Sequence, residues 1–425
     1  MINNESFYYL ENGDLTSEGL KSGIDGKGYQ SKFQFNKGLL EYFSWKKFHN
    51  FSNIIISGYI EILTEMINKD NTLNCCLISK RSNQRIGIRL IERGMDLLGN
   101  CSNTIETEQI IHYKDKKYSF ATIRGHVPLF WYQNNFEVIN SIQLIQNNES
   151  KMFSAFEKHI QKIYKNGKQL ILINLLKDNG NEKILSAKYQ DYCNKKELSY
   201  FHLRNHIEIK NYIEELNSYS LNELLNLNFR LNCKSCIDRT NGFQYQLNQL
   251  VLKKIIQHSN NNNNNSNLIV FSSFYKKYQQ CWINNGNNLS RLYNDTNCIK
   301  KYMTSSPQDN NIIELVWISI KRKFYSYFYH GYKFDGYQFY FINNLNNNNN
   351  SNNNNNQQQY QKYNFTQLFN FNLFNFTIYL LLTILNYTYR NNNSIVNIFL
   401  SIAYTLTLFL KKPITSVFID KSNDN

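Results

Sequence analysis

The stretch from Leu227 to His258, "LNFRLNCKSCIDRTNGFQYQLNQLVLKKIIQH", constrains the fold more than any other part of this 425-residue chain. "LNFRLN" reads as a short extended run. Beyond Arg239, Phe243, Leu247, Leu250 and Val251 fall on one helical face. Between the two lies a loop that opens on Cys233 and reaches Arg239 after five intervening residues. A strand that feeds a helix through such a loop makes an anion cradle. Loop N–H groups point inward, the helix dipole favours a thiolate, and an arginine grips two phosphate oxygens in a fork. Thr240 is placed to hold the thiolate or to cap the helix. Cys233 and Cys236 also spell C-x2-C. No second pair and no histidines at ligand spacing follow, which argues against a structural zinc site.

The flanking sequence points to an α/β class. From about Phe51 to Arg124, "NIIISGYIEIL", "CCLISK", "RIGIRL", "TIETEQIIHY" and "YSFATIRG" read as strands between turn signals. From Lys151 the rhythm becomes helix, strand, helix: "KMFSAFEKHIQKIYKNGK", "KQLILINLL", then "NYIEELNSYSLNELLNL". The first ~40 residues are polar and are expected to be loosely ordered. Hydrophobic residues make up 42% of the chain, enough for a sizeable core, and Trp131 is assigned to it. A net charge of +15 favours anionic partners: nucleic acid, acidic lipid or phosphorylated substrates. The eight cysteines have no framework rhythm and the N-terminus has no apolar signal run, so free thiols in a reducing compartment are expected.

Two asparagine tracts interrupt the pattern, the first as an insert at 260–267 and the second as a linker at 344–363. Beyond them the chain becomes aromatic and aliphatic. Ser394–Leu410 is an uncharged run of 17 residues; as a helix at ~1.5 Å per residue it reaches about 26 Å, close to a ~30 Å hydrocarbon core. Phe369–Tyr389 is also uncharged, and the two are joined by "RNNN". They read as a membrane hairpin over 364–412, with a pair of buried core helices as the alternative. Lys362 before the first run and Lys411 and Lys412 after the second, against Arg390 in the loop between them, place both ends in the cytosol.

"RLNCKSCIDRTN" resembles the signature of the Sac-domain phosphoinositide phosphatases, R-x-N-C-x-D-C-x-D-R-T-N. The likeness extends to "RSNQRIGIRLIERGMDLLGNCSNTIETEQIIHY" and "YSFATIRGHVPLFWYQ", and more faintly to "CWINNGNNLSRLYNDTNCIKK" and "HGYKFDGYQ". The closing hairpin is similar to that of the membrane-anchored endoplasmic-reticulum and Golgi members. The resemblance implies an α/β Sac-type catalytic domain over 51–343. Residues 1–50 would be the remnant of an abbreviated β-rich N-terminal part, and 413–425 a cytosolic tail. It implies hydrolysis of an inositol phosphomonoester, on phosphatidylinositol 4-phosphate or a 3-phosphate, through a phosphocysteine. Cys233 would be the nucleophile, Arg239 the phosphate-binding arginine and Asp238 the acid or loop-orienting carboxylate. Lys234, Ser235, Cys236, Ile237, Thr240, Asn241 and Arg124 would contact substrate. No cofactor and no metal is implied. The partners would be a phosphoinositide lipid and a membrane of the endoplasmic reticulum or Golgi, not nucleic acid.

The chain also departs from the family pattern. Ser235 stands where the family has aspartate, and His126 follows Arg124-Gly125 where it has serine. Asp295-Thr296-Asn297 replaces a G-T-G-like turn, and only about eighty residues precede the arginine block. His202 and Arg204 occupy the family's histidine-containing segment before the loop. A catalytically weak or inactive Sac-like phosphoinositide-binding protein is therefore the competing expectation. Arg81, Arg85, Arg89, Arg93 and Arg124 are candidates for headgroup contact, or for ion pairs with Glu92, Asp96, Glu106 or Glu108.

Overall fold

The structure, a computed structural model, describes residues 6–10, 14–18, 30–37, 53–68, 71–88, 93–133, 142–145, 149–164, 167–259, 268–299, 312–331 and 333–334. The chain divides into units Met1–Asn348 and Asn349–Asn425, and all described residues belong to the first. The asparagine insert, the linker and the hairpin expected at 364–412 lie outside the described residues. Among those described, no helix is long and apolar enough to cross a membrane.

Alternating apolar residues build the first strands: β1 (Phe7–Tyr9), β2 (Ile55–Asn68), β3 (Asn71–Arg81), β4 (Ile105–Tyr113) and β5 (Lys116–Gly125), joined antiparallel in that order. Lys114 and Asp115, both at positive φ, form the two-residue turn between β4 and β5, whose twist matches the strands it joins. A small antiparallel pair follows, β6 (Trp131–Gln133) and β7 (Ile142–Leu144). Then come α1 (Glu149–Ile163), β8 (Gln169–Asn174), α2 (Glu182–Lys195), β9 (Ser199–His202), α3 (His206–Leu216) and α4 (Leu221–Leu225). The last elements are β10 (Leu227–Asn232), α5 (Asp238–Ser259), α6 (Leu268–Asn294) and α7 (Ile312–Phe328). The main sheet runs β1-β2-β3-β4-β5-β10-β8-β9, with β5, β10, β8 and β9 parallel.

Helices cover both faces. Against one, Leu73, Leu77, Phe229 and Leu231 pack on Phe243, Leu247, Phe274 and Trp282 of α5 and α6. Against the other, Ile123, Leu170 and Leu172 pack on Met152, Phe156, Leu185 and Tyr189 of α1 and α2. Burying both faces explains why β8 reads as a nearly continuous apolar run, while β10 is buried throughout although Asn228, Arg230 and Asn232 alternate with its apolar residues. The arrangement has a functional consequence. The helix after β8 lies on one face of the sheet and the helix after the neighbouring β10 lies on the other, which opens a crevice between their carboxyl ends. Open α/β sheets bind ligands at such a point.

Three expectations need correction. "RIGIRL" is not a strand over its described residues 85–88, because Arg85 turns left-handed (φ 51°) and breaks the extended run. "NYIEELNSYSLNELLNL" is two helices rather than one. Ser220 accepts the Glu223 N–H while the Glu223 carboxylate accepts the Ser220 N–H, a capping box that starts α4 afresh. Finally, the described parts of the first 40 residues are packed in place: β1 pairs with β2, Leu15 joins the Ile56–Ile78–Ile110 cluster, and Phe33 is buried.

Candidate active site

At the crevice, Asn232 and Asn174 end β10 and β8 side by side. Asn232 Nδ2 donates to Asn174 Oδ1 (2.8 Å), and the Leu175 N–H donates to Asn232 O (2.8 Å). Beyond this seam lies a cleft of about 240 Å³. Cys233, Lys234, Ser235, Ile237, Asp238 and Arg239 line it from the β10 side, and Lys177 and Glu182 from the β8 side.

Cys233 sits at the base of the loop. Cys236 takes a left-handed φ of 51° and turns its N–H onto Cys233 Sγ at 2.9 Å. Thr240, in the first turn of α5, donates its hydroxyl to the same sulfur at 3.2 Å. Burial pushes the Cys233 thiol up. The Cys236 side chain, the Arg239 charge and the Thr240 hydroxyl outweigh it and bring the group down to about 5. Cys233 is therefore a thiolate at neutral pH. Cys236 goes the other way: burial, and then the neighbouring Cys233, hold it well above the ordinary thiol range, and its S–H donates to Gly125 O at 2.6 Å. The C-x2-C pair is thus one thiolate and one thiol.

Arg239 faces Glu182, the first residue of α2. Its Nη1 donates to Glu182 Oε2 (2.9 Å) and Leu175 O (2.6 Å), and its Nη2 to Glu182 Oε1 (2.9 Å). A guanidinium has five N–H donors. These contacts occupy both on Nη1 and one on Nη2, leaving the Nε–Nη2 edge for a second bidentate ligand such as phosphate. Glu182 is lowered in pKa: the Arg239 hydrogen bonds and charge outweigh the opposing effect of burial. Asp238 lines the cleft and has partners of its own. Oδ1 accepts the Ile299 N–H at 2.9 Å, and Oδ2 lies 3.7 Å from Arg322 of α7.

Four of the residues expected to touch substrate do not line the cleft. Cys236 turns its side chain to Gly125, and Thr240 acts on the sulfur. Asn241 ties α5 to α6, donating to Trp282 O (3.0 Å) and accepting from Asn285 Nδ2 (3.0 Å). That approach requires Gly286, where a Cβ would stand 2.7 Å from the Asn241 amide nitrogen. Arg124 is fully buried behind the loop, and none of its three guanidinium nitrogens has a hydrogen-bond partner. Burial lowers its pKa to about 10 although nearby thiols and Asp238 oppose this.

The other candidates are placed as follows. His202 Nε2 bonds to Leu176 O (3.0 Å), and Arg204 lies 3.7 Å from Asp178 on the surface. Arg81 donates to Gly87 O (2.6 Å) and Arg85 to Arg93 O (2.9 Å), while Glu106 and Glu108 flank the buried Lys80 at 2.8 and 3.6 Å. Arg89 and Glu92 lie outside the described residues. Trp131 is in the core, as expected. Asp295, where the family has glycine, keeps a left-handed φ of 58°, and its carboxylate is held by His330 (2.9 Å) and Lys333 (2.7 Å). Sequence reasoning missed Glu182 and Asn174. The available signal was an acidic first-turn residue and a strand-ending asparagine on the segment "LINLLKDNGNE".

A family model described as the SacI homology domain matches residues 1–214, about half of the chain. The phosphatidylinositide phosphatase SAC2 of Danio rerio is 26% identical over 361 residues, covering 70% of this chain and 32% of that protein. The polyphosphatidylinositol phosphatase INP53 of Saccharomyces cerevisiae is 26% identical over 346 residues, covering 71% and 31%. The phosphatidylinositol-3-phosphatase SAC1-A of Danio rerio is 26% identical over 376 residues, covering 79% and 63%. The chain thus spans about a third of the length of the first two and less than two thirds of the third.

Proposed function

Since this chain belongs to the SacI homology domain family, we propose that it is a phosphoinositide phosphatase that removes a phosphomonoester from the inositol headgroup. The observation that carries this reading is Cys233 Sγ, which accepts the Cys236 N–H and the Thr240 hydroxyl and shares one cleft with Arg239. The Cys233 thiolate attacks phosphorus, the bond from phosphorus to the inositol oxygen breaks, and the headgroup leaves with a proton. Water then cleaves the sulfur–phosphorus bond, releasing inorganic phosphate and restoring the thiolate. Arg239 and the loop amides hold the charge on the equatorial oxygens in both steps. Of the two carboxylates that line the cleft, Glu182 is committed to Arg239. Asp238 is the one we assign to proton transfer with the leaving oxygen and the attacking water.

The favoured substrate in this reading is phosphatidylinositol 4-phosphate or a 3-phosphate. The uncharged runs within 364–412 support a membrane hairpin, and with it a place on the endoplasmic-reticulum or Golgi membrane with the catalytic unit in the cytosol. The test is phosphate release from phosphatidylinositol 4-phosphate by the purified full chain in detergent with a chelator present. Release that disappears in Cys233→Ser supports the reading. Equal release by both proteins removes Cys233 as nucleophile, and no release from any phosphoinositide favours a binding protein.

A further inference from the structure

We propose that Arg93 and Asn103 are positioning residues that aim the amides of the Cys233–Arg239 loop, and that the side chain at position 235 anchors this clamp rather than donating a proton. The proposal rests on the phosphatase reading of the loop.

Arg93 reaches the loop across 141 residues of sequence, its Nη1 donating to Lys234 O at 3.2 Å and lying 3.3 Å from Ser235 Oγ. Asn103 Nδ2 donates to Ser235 O at 3.0 Å. A trans peptide points its C=O and N–H in opposite directions. Holding Ser235 O therefore turns the Cys236 N–H the other way, and that N–H is the one that meets Cys233 Sγ at 2.9 Å. By the same geometry, holding Lys234 O turns the Ser235 N–H away from Arg93. Ser235 lines the cleft, so the phosphate site is where that donor is aimed. One tether thus serves the thiolate and the other serves the phosphate.

The clamp is fixed from behind. Arg93 is 4% exposed, and its Nη2 donates to Gln133 Oε1 at 2.9 Å. Its guanidinium lies 5.6 Å from the Trp131 ring centre and 5.9 Å from that of Tyr293. Tyr293 accepts from Arg93 Nη1 at 2.8 Å and bonds onward to His126 Nε2 at 3.0 Å. The scaffold orients Arg93, and Arg93 orients the loop. A carboxylate at position 235 would lie against this buried guanidinium and be held as the anion, which makes it a poor acid.

The experiment uses the full chain and reads Cys233 directly, by alkylation with iodoacetamide against pH and by protection with inorganic phosphate. Neither readout needs turnover, so lost hydrolysis alone bears on the proposed activity and these two bear on the loop. Arg93→Lys is expected to weaken phosphate protection about tenfold, the scale of one charge-assisted hydrogen bond, with little change in the alkylation midpoint. Asn103→Ala is expected to move the midpoint up. Ser235→Asp, which keeps an anchor, is expected to add no limb to the pH profile of turnover. The proposal is overturned if phosphate fails to protect the wild type, or if Arg93→Lys and Asn103→Ala both match it. It is equally overturned if both variants lose both readouts in parallel with a fall in thermal stability. Faster turnover by Ser235→Asp with a new limb would make position 235 a proton donor.

Discussion

Both carboxylate oxygens of Glu182 lie 2.9 Å from the terminal nitrogens of Arg239, so an acid at the start of α2 fixes the plane of a guanidinium at the start of α5. The pair turns one edge of Arg239 to Glu182 and leaves the other for phosphate. Glu182→Gln keeps the shape and removes one charged acceptor. We expect kcat/KM to fall roughly 10- to 100-fold through loss of arginine alignment. Steady-state kinetics beside a thermal melt will check this; unchanged kcat/KM removes the positioning role.

The Cys233 thiolate sets a pH dependence. Alkylation of this residue, followed on its own peptide, is expected to rise with a midpoint of about 5, well below the ordinary cysteine value near 9. Between those values the unfolded chain holds a proton that the folded chain has lost, so this group makes stability rise with pH across the window and the contribution is lost as pH falls through about 5. Urea titrations of wild type and Cys233→Ser from pH 5 to 9 should diverge in favour of the wild type. Parallel curves would contradict the depressed thiol.

Two buried histidines act in the more acidic range. Burial and then Arg230 push His159 down to about 3, while its Nδ1 bonds Gly99 O at 2.9 Å and its Nε2 meets Arg230 at 3.2 Å. His126 is lowered by burial and then by Arg93. A base with a depressed folded pKa costs stability once the unfolded chain begins to protonate, below about 6.5. Stability should therefore fall from pH 6.5 downward, and activity lost there should track unfolding rather than titration of Cys233. Far-UV melts in parallel with alkylation will separate the two.

Gly94 follows the clamp residue Arg93 at φ 65°, and a Cβ there would lie 2.3 Å from Leu129 O. Gly94→Ala combines a left-handed alanine with a backbone clash, and a destabilisation of roughly 2–4 kcal/mol is expected. A melting temperature within a degree of wild type would show that the turn relaxes at little cost.

The legible parts of this molecule were the local ones. The strand, loop and helix around Cys233 lie within one stretch, and their apolar periodicity survives in β10 and α5. The residues that complete the site come from afar. Glu182 is 57 residues from Arg239 and Tyr293 is 200 from Arg93, so spacing carries no trace of them. Motif position also does not reveal which way a side chain turns. Asn241 and Arg124 belong to resembling blocks, yet one joins two helices and the other lies behind the loop. "RIGIRL" alternates like a strand, and over its described residues the left-handed turn at Arg85 undoes it.

The dependence of Asp238 on Arg322 bears on how the protein is made. Cys233 and Arg239 leave the ribosome well before Tyr293 and Arg322, so the signature motif exists in the nascent chain before the groups that brace it. Contacts so distant in sequence close late in folding. A fragment ending after α5 would carry the whole motif and lack those braces, and the carboxylate of Asp238 meets its arginine partner only when α7 has docked.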